Sequence, residues 1–330
     1  MDGREHYGFI LVSSILPLLG VVGAAALLWH RVFGVSDLIA FVIMYVIAGL
    51  GVSTGYHRLL AHHSFKTYRP VKVFLASAGA IAGQGPPLIW TAHHRRHHRV
   101  ADKPGDPHSP YLGRTAGLRG ALSGLWHSHL GWLFDKDLSS DPIRYCPDLA
   151  RDKDIRFISR YFTAFVASGV VIPGLIGLAI GHTWQSFATG ALWGGLVRFF
   201  VSNHVTYAVN SIGHYFGRRR FDTPDESRNV GWLSVLSFGE SWHNNHHAFP
   251  RAASHGFRWW EVDISAIVIR LLEATGLAWD VVSIPADRID DRAAGLSRVG
   301  GGRAAPAQPP RPLGERSRDV PVAVGAGDVE

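Results

Sequence analysis

Cysteine and charge are both scarce in this chain. Its 330 residues include one cysteine, Cys146, and two methionines, and only 18% are Asp, Glu, Lys or Arg. A single cysteine excludes an internal disulfide and a thiolate-ligated metal cluster. Low charge beside 47% apolar residues argues against two soluble domains and for one membrane-embedded domain. The sequence contains no His-Glu-x-x-His, which disfavours a zinc protease. The net charge of +7 is not the footprint of a nucleic-acid binder, because the Lys and Arg residues flank apolar runs instead of gathering in polar segments. What the chain has in excess is histidine, 19 residues against 26 Asp plus Glu.

Residues 1–7 are a polar leader with too little positive charge for a cleaved signal peptide. Apolar runs over about 8–29 and 38–56 are long enough to cross a bilayer and form a hairpin, and a second pair covers about 161–181 and 186–209. The stretch Val71 to Trp90 is weaker and carries Gly83, Gly85, Pro86 and Pro87. If it crossed, it would put the histidines on either side of it in different compartments, so it reads as an in-plane amphipathic helix with a proline-broken end. Residues 57–160 and 210–286 then form a helical cap, with an amphipathic helix near 260–275. The Ala-, Gly-, Pro- and Arg-rich stretch 287–330 reads as a disordered tail. Sixteen Lys and Arg residues lie between 57 and 160, whereas the opposite face would hold Arg31 in one loop and none in the other. By the positive-inside rule the termini and the cap are cytoplasmic. Arg198, inside the fourth span, is expected to face the protein interior.

The histidines cluster. His57 and His62 end the second span, His94, His97 and His98 follow the in-plane segment, and Asn210 and His214 end the fourth span. His243, His246 and His247 lie in Gly239-Glu240-Ser241-Trp242-His243-Asn244-Asn245-His246-His247-Ala248-Phe249-Pro250. Histidines at i, i+3 and i+4 share one helix face, and neutral imidazole is a general ligand for iron, zinc and copper. Zero or two crossings separate each pair of clusters, so all can meet at one mouth of the bundle. Nine imidazoles and one amide are too many for one ion of four to six ligands and suit two.

These boxes, HxxxxH, HxxHH and HxxHH with an intervening NxxxH, resemble those of the integral-membrane fatty acyl desaturases, most closely the acyl-CoA Δ9 (stearoyl-CoA) branch. The resemblance runs from about His30 to Trp279 and extends beyond histidine. It takes in Gly239, Glu240, Asn244, Phe249 and Pro250 of the last box, and Ser128-His129-Leu130-Gly131-Trp132-Leu133 in the cap. It implies an all-α membrane protein of four spans in two hairpins, and a nonheme diiron centre held by His57, His62, His94, His97, His98, His214, His243, His246 and His247. Asn210 would reach one iron through water. His63 and His93 adjoin the ligands His62 and His94. Gln84, Trp90 and Thr206 fall where the family lines the bend of its acyl tunnel, although Trp90 alone would read as an interfacial aromatic.

The implied reaction is O2-dependent insertion of a cis double bond, of Δ9 type, into a saturated acyl chain by diiron-mediated stepwise hydrogen abstraction. No side chain has a pKa that could remove such a proton. Glu240 reads either as a charge at a helix N-terminus or as an acceptor orienting a ligand imidazole. Asp106-Pro107-His108 reads as a turn, and His255 and the remaining histidines as packing or surface residues. Arg218-Arg219-Arg220 suit anionic headgroups, or an acidic donor. Lys136 is a candidate contact for carrier phosphate, but Asp137 departs from the family's basic pair. No His-Pro-Gly-Gly haem segment is present, so electrons would come from a separate ferredoxin, rubredoxin or cytochrome b5-type protein with its reductase. A membrane diiron hydroxylase and a b-type haem protein are the rival readings. The cell membrane is the expected location.

Overall fold

The computed structural model describes Ile10 and residues 14–29, 33–111, 117–135 and 140–299. The polar leader, Lys136 and residues 300–330 lie outside the described residues. Helix α1 spans Leu16–Trp29 and α2 Val35–Ala61. A short strand β1 (Lys66–Thr67) leads to α3 (Arg69–Ile81) and α4 (Pro87–Val100). The cap continues with α5 (Leu118–His129), a 3-10 turn at Gly131–Phe134, and short helices α6 (Pro142–Tyr145), α7 (Pro147–Arg151) and α8 (Lys153–Arg160). Helix α9 covers Phe162–Gly181, and α10 (Trp184–Gly190) joins α11 (Arg198–Tyr215) through a π-helical stretch, Ala191–Val197. Then come α12 (His243–Ala248), α13 (Ile264–Ala274), β2 (Ala278–Trp279) and α14 (Ala286–Val299). The two strands pair antiparallel, Lys66 with Trp279 and Thr67 with Ala278, and tie the end of the cap back to its beginning.

The four expected spans fall on α1, α2, α9 and the α10–α11 run. Among the described residues, two helices, α2 and α9, are long and apolar enough to cross a membrane. Large apolar residues on their outer faces are exposed, among them Leu38 and Val42 on α2 and Val171 and Leu175 on α9. Arg198 is buried, donating to the carbonyls of Gly169 at 2.9 Å and of Gly194 and Ile81 at 3.2 Å. Those carbonyls satisfy a charge that would otherwise be costly at such a depth.

The structure departs from the sequence expectations in two places. The stretch from Val71 to Trp90 is not one helix. It breaks at Gly83 and Gly85, whose φ of 75° and 120° a side chain would strain, and Pro87 then starts α4, to which Trp90 belongs. The tail expected from 287 instead begins with α14, where Ile289 packs in a cluster with Phe221, Ala248 and Phe249 and Arg258 pairs with Asp290 at 3.2 Å. Composition hides this helix because one buried isoleucine and one ion pair anchor it.

The last eleven residues of α2, Gly51–Ala61, are π-helical and all buried. Their packing against α3 is tight enough that a Cβ on Gly51 would lie 2.2 Å from the nitrogen of Gly79. Tyr56, Leu59 and Leu60 from this stretch join Leu75, Ile155, Ile158 and Ile269 in the main core.

Candidate metal centre

Four backbone segments converge on the mouth of the bundle. On an α-helix, His57 and His62 would point about 140° apart at 100° per residue. The π-helical end of α2 closes i to i+5 hydrogen bonds, with the His62 amide donating to the His57 carbonyl at 3.1 Å, and so turns both imidazoles to one side. Helix α4 offers His94, His97 and His98 from one face, α11 presents His214 from its last turn, and α12 presents His243, His246 and His247.

The nine imidazoles divide into two groups. His57, His62, His94, His98 and His246 form one, and His97, His214, His243 and His247 the other, the candidate ligand atoms of each lying within 4.8 Å of one another. In the first, Nε2 atoms approach to 3.1 Å between His57 and His246, 2.7 Å between His62 and His94 and 2.9 Å between His98 and His246. In the second, His214 and His243 are 2.9 Å apart, His243 and His247 3.1 Å, and His97 and His247 3.4 Å. The groups are neighbours, since the rings of His98 and His247 stack with centroids 4.5 Å apart. Helices α4 and α12 each contribute to both.

Carboxylates stand behind several of these rings. Nδ1 of His97 faces Asp106 at 3.0 Å, that of His214 faces Asp102 at 2.8 Å, and that of His247 faces Asp225 at 3.0 Å. Glu240 contacts Nδ1 of His57 and Ser53, and accepts from Arg58 at 2.7 Å. Arg58 is fully buried and also donates to Asp263 at 3.0 Å, with Nδ1 of His255 a further 3.0 Å partner.

These partners test whether the residues suit a metal. A carboxylate at Nδ1 holds the proton there and leaves a bare lone pair on Nε2. His97, His214 and His247 therefore aim lone pairs at one another, an arrangement that a cation satisfies. Two imidazole nitrogens at the usual 2.0–2.1 Å from a metal stand roughly 2.8–3.4 Å apart at octahedral to tetrahedral angles, and the observed separations lie close to that. The residues fit two ions. They do not fit a haem, whose axial imidazoles must stand far enough apart to admit a porphyrin between them.

Burial favours the neutral, ligating form. It pushes His62, His94, His98, His243 and His246 well below the usual imidazole range and His247 down to about 4. For His214 burial is outweighed by Asp102, Asp106 and Asp225, which raise it. Against its own burial, Asp102 is held at about 2 by His214, and Asp106 and Asp225 are held low by His97 and His247.

Two cavities of about 640 and 670 Å³, open mouths included, meet beside the metal groups. Both are lined by Gln84, Trp90, His94, Thr206 and Asn210, so the two adjoin at these residues. Gln84 donates to Thr206 at 2.9 Å, and Trp90 stacks on His94 with centroids 5.1 Å apart. The first cavity runs into the bundle past Ala48 and Val52 to Tyr45, whose hydroxyl donates to the Leu236 carbonyl at 2.8 Å. The second is lined also by Ile89, Trp132 and Leu133.

The neighbours His63 and His93 turn away, His63 to Arg95 and Asp148 and His93 to Ser140. The sequence reading missed Asp102, Asp225, Arg58 and Asp263, and took Asp106 for a turn and His255 for packing. Asp106 does cap a turn, accepting from the amides of Asp102 and His108, while its carboxylate also holds His97. Acidic residues in polar loops carry no signal of burial in a single sequence. The one usable hint is that Asp102 and Asp106 follow the HxxHH of α4 within ten residues.

Comparison with known proteins agrees with this geometry. Residues 35–264 match the fatty acid desaturase family. The chain is 42% identical over 274 residues to hex-5-enoyl-[acyl-carrier protein] acetylenase of Moorena producens (strain JHB), covering 82% of this chain and 84% of that one. It is 39% identical to sn-1 stearoyl-lipid 9-desaturase of Anabaena variabilis (74% and 82% covered) and 41% identical to Delta-9 acyl-lipid desaturase 1 of Arabidopsis thaliana (72% and 73% covered). With nine buried or half-buried imidazoles gathered beside largely apolar cavities, and a match across most of its length, the chain belongs to the fatty acid desaturase family of oxidoreductases.

Proposed function

We propose that the protein is an O2-dependent desaturase that places a cis double bond, of Δ9 type, in a saturated long-chain acyl group. One observation carries this reading: His57, His94 and His243, drawn from both histidine groups, line a largely apolar cavity of about 640 Å³. Two irons bound by the five-histidine and four-histidine groups, with Asn210 reaching one of them through water, would supply the oxidising power that C–H cleavage needs.

The chain's own residues supply placement. The Gln84–Thr206 hydrogen bond and the Trp90 indole fix the bend, favouring a kinked acyl chain and thus a cis product. His57, His94 and His243 line the inner cavity, so carbons at the bend pass along the edge of both groups. Tyr45 and Phe238 bound the far end and limit the length beyond the bend. Asp102, Asp106, Asp225 and Glu240 hold four imidazoles with Nε2 turned inward.

In this reading four spans, α1, α2, α9 and the α10–α11 run, cross the cell membrane, with termini and centre facing the cytoplasm. A separate iron–sulfur or haem protein and its reductase deliver electrons. The resemblance points to a CoA thioester, with Lys136 as the candidate contact for its phosphates, whereas the names of the three relatives above specify acyl chains on lipid or on acyl carrier protein.

Expression in a host without its own desaturase, followed by fatty acid analysis, tests the reading. Wild type should yield a new cis-monoene and His246→Ala none. A hydroxy fatty acid as product would make the protein a hydroxylase, and no product with iron and reductant supplied would overturn the reading. Stearoyl-CoA, stearoyl-acyl carrier protein and stearoyl-lipid, offered separately to membranes, identify the carrier.

A further inference from the structure

The two histidine groups are unequally supported. Three of the four imidazoles in the smaller group rest on buried carboxylates, Asp106, Asp102 and Asp225. In the five-histidine group, among the described residues, Glu240 is the one carboxylate on a ring, and Nδ1 of His246 is buried without a partner, as is that of His243 in the smaller group. Even Glu240 is shared, because Arg58 neutralises it from the other side. The smaller group thus sits among three negative charges that no arginine pairs among the described residues. The larger has Glu240 and Asp263 around one guanidinium, a net of one negative charge.

Access differs in the same direction. His97, His214, His243 and His247 are 1–8% exposed, whereas His94 and His98 are half-buried. His62 also lines an open cleft of about 1940 Å³, walled by His63, Arg95, Asp148 and Trp279. This cleft brings solvent to the edge of the five-histidine group at His62, although His57 and His246 of that group are themselves buried.

Both observations favour retention at one site and exchange at the other. A carboxylate behind an imidazole makes it a stronger donor and fixes its tautomer, and losing such a partner typically weakens metal binding by about 10–100-fold. Resting on the two-iron reading above, we propose that the centre is built unequal. The four-histidine site takes iron first and keeps it. The five-histidine site is the exchangeable one, loading and emptying through the His62 cleft, so a one-iron form occupied at His97, His214, His243 and His247 is a stable species of this protein.

The test is release of iron from purified holoprotein in detergent, under argon, to a ferrous chelator, read as iron per chain against time. About one iron should leave quickly and the second at least about tenfold more slowly. Asp225→Asn should speed the slow phase by about 10–100-fold and leave the fast phase unchanged, and Glu240→Gln should do the reverse. Release of both irons in a single phase, or a fast phase that responds to Asp225→Asn, overturns the inequality while leaving the two-iron reading intact. Protein that binds no more than one iron per chain after anaerobic reconstitution with excess ferrous iron overturns that reading itself. Should neither variant fold, Mössbauer spectra of half-stripped wild type decide. One quadrupole doublet is expected to survive, and equal loss from two doublets would refute the proposal.

Discussion

The two halves of α2 obey opposite rules. Over Val35–Leu50, apolar side chains such as Leu38 (50% exposed), Val42 (49%) and Val46 (39%) face outward. Over Gly51–Ala61 every residue is buried, including Ser53, Thr54, His57 and the fully buried Arg58. One helix is thus apolar outside along its first part and polar inside along its second. Hydrocarbon as solvent accounts for the first, since lipid leaves an apolar surface nothing to escape from. A binding site accounts for the second, since buried charge persists only where it is paired. The contrast identifies where the fold is generic and where it is committed to chemistry.

The largest effects should come from the committed half and its partners. His246→Ala and His247→Ala should each abolish new monoene and lower bound iron by about one per chain, measured by fatty acid analysis and metal assay. Full activity in either variant would remove that histidine from the centre. Arg58→Met leaves Glu240 and Asp263 without their shared cation, and breaking a buried pair in this way costs about 3–5 kcal/mol. The thermal midpoint in detergent should fall accordingly, and an unchanged midpoint would show that Arg58 is not the hub its contacts suggest.

The generic half makes a prediction of similar size but a different kind. If Val42 faces lipid, Val42→Lys should make membrane insertion less favourable by about 2.5–3.5 kcal/mol, seen as loss from the membrane fraction. Unaltered insertion would place that face of α2 against water or protein. At the boundary between the halves, Gly51→Ala drives a methyl into the Gly79 backbone, and overpacking of this type costs about 1–3 kcal/mol. A stable Gly51→Ala protein would mean that α2 and α3 can separate. The smallest effect is expected at the end of the inner cavity. Tyr45→Phe loses one hydrogen bond to the Leu236 carbonyl, about 1 kcal/mol. Tyr45→Ala should in addition shift the product profile toward longer acyl chains, and an unshifted profile would mean the chain does not end there.

The sequence by itself carried the inventory. Histidine spacing, the parity of apolar runs and the surplus of imidazole over one ion's needs pointed to a two-metal centre at one end of a helical bundle. The resemblance to the desaturase family singled out Gln84, Trp90 and Thr206, which the fold brings together where the two cavities adjoin. Such features are legible because periodicity and residue chemistry are local properties.

Tertiary structure alone decided the assignments. His97 and His98 are adjacent in sequence yet belong to different groups, as do His246 and His247, because each helix lies between the two sites and successive rings diverge by about 100°. The π-helical turn that aligns His57 with His62 is set by close packing of Gly51 on Gly79, which no periodicity encodes. The carboxylates at Asp102, Asp106 and Asp225 lie in loops, where only the folded backbone determines which acid is buried against which imidazole. Which histidine serves which ion, and how firmly each is held, follows from contacts between residues far apart in the chain.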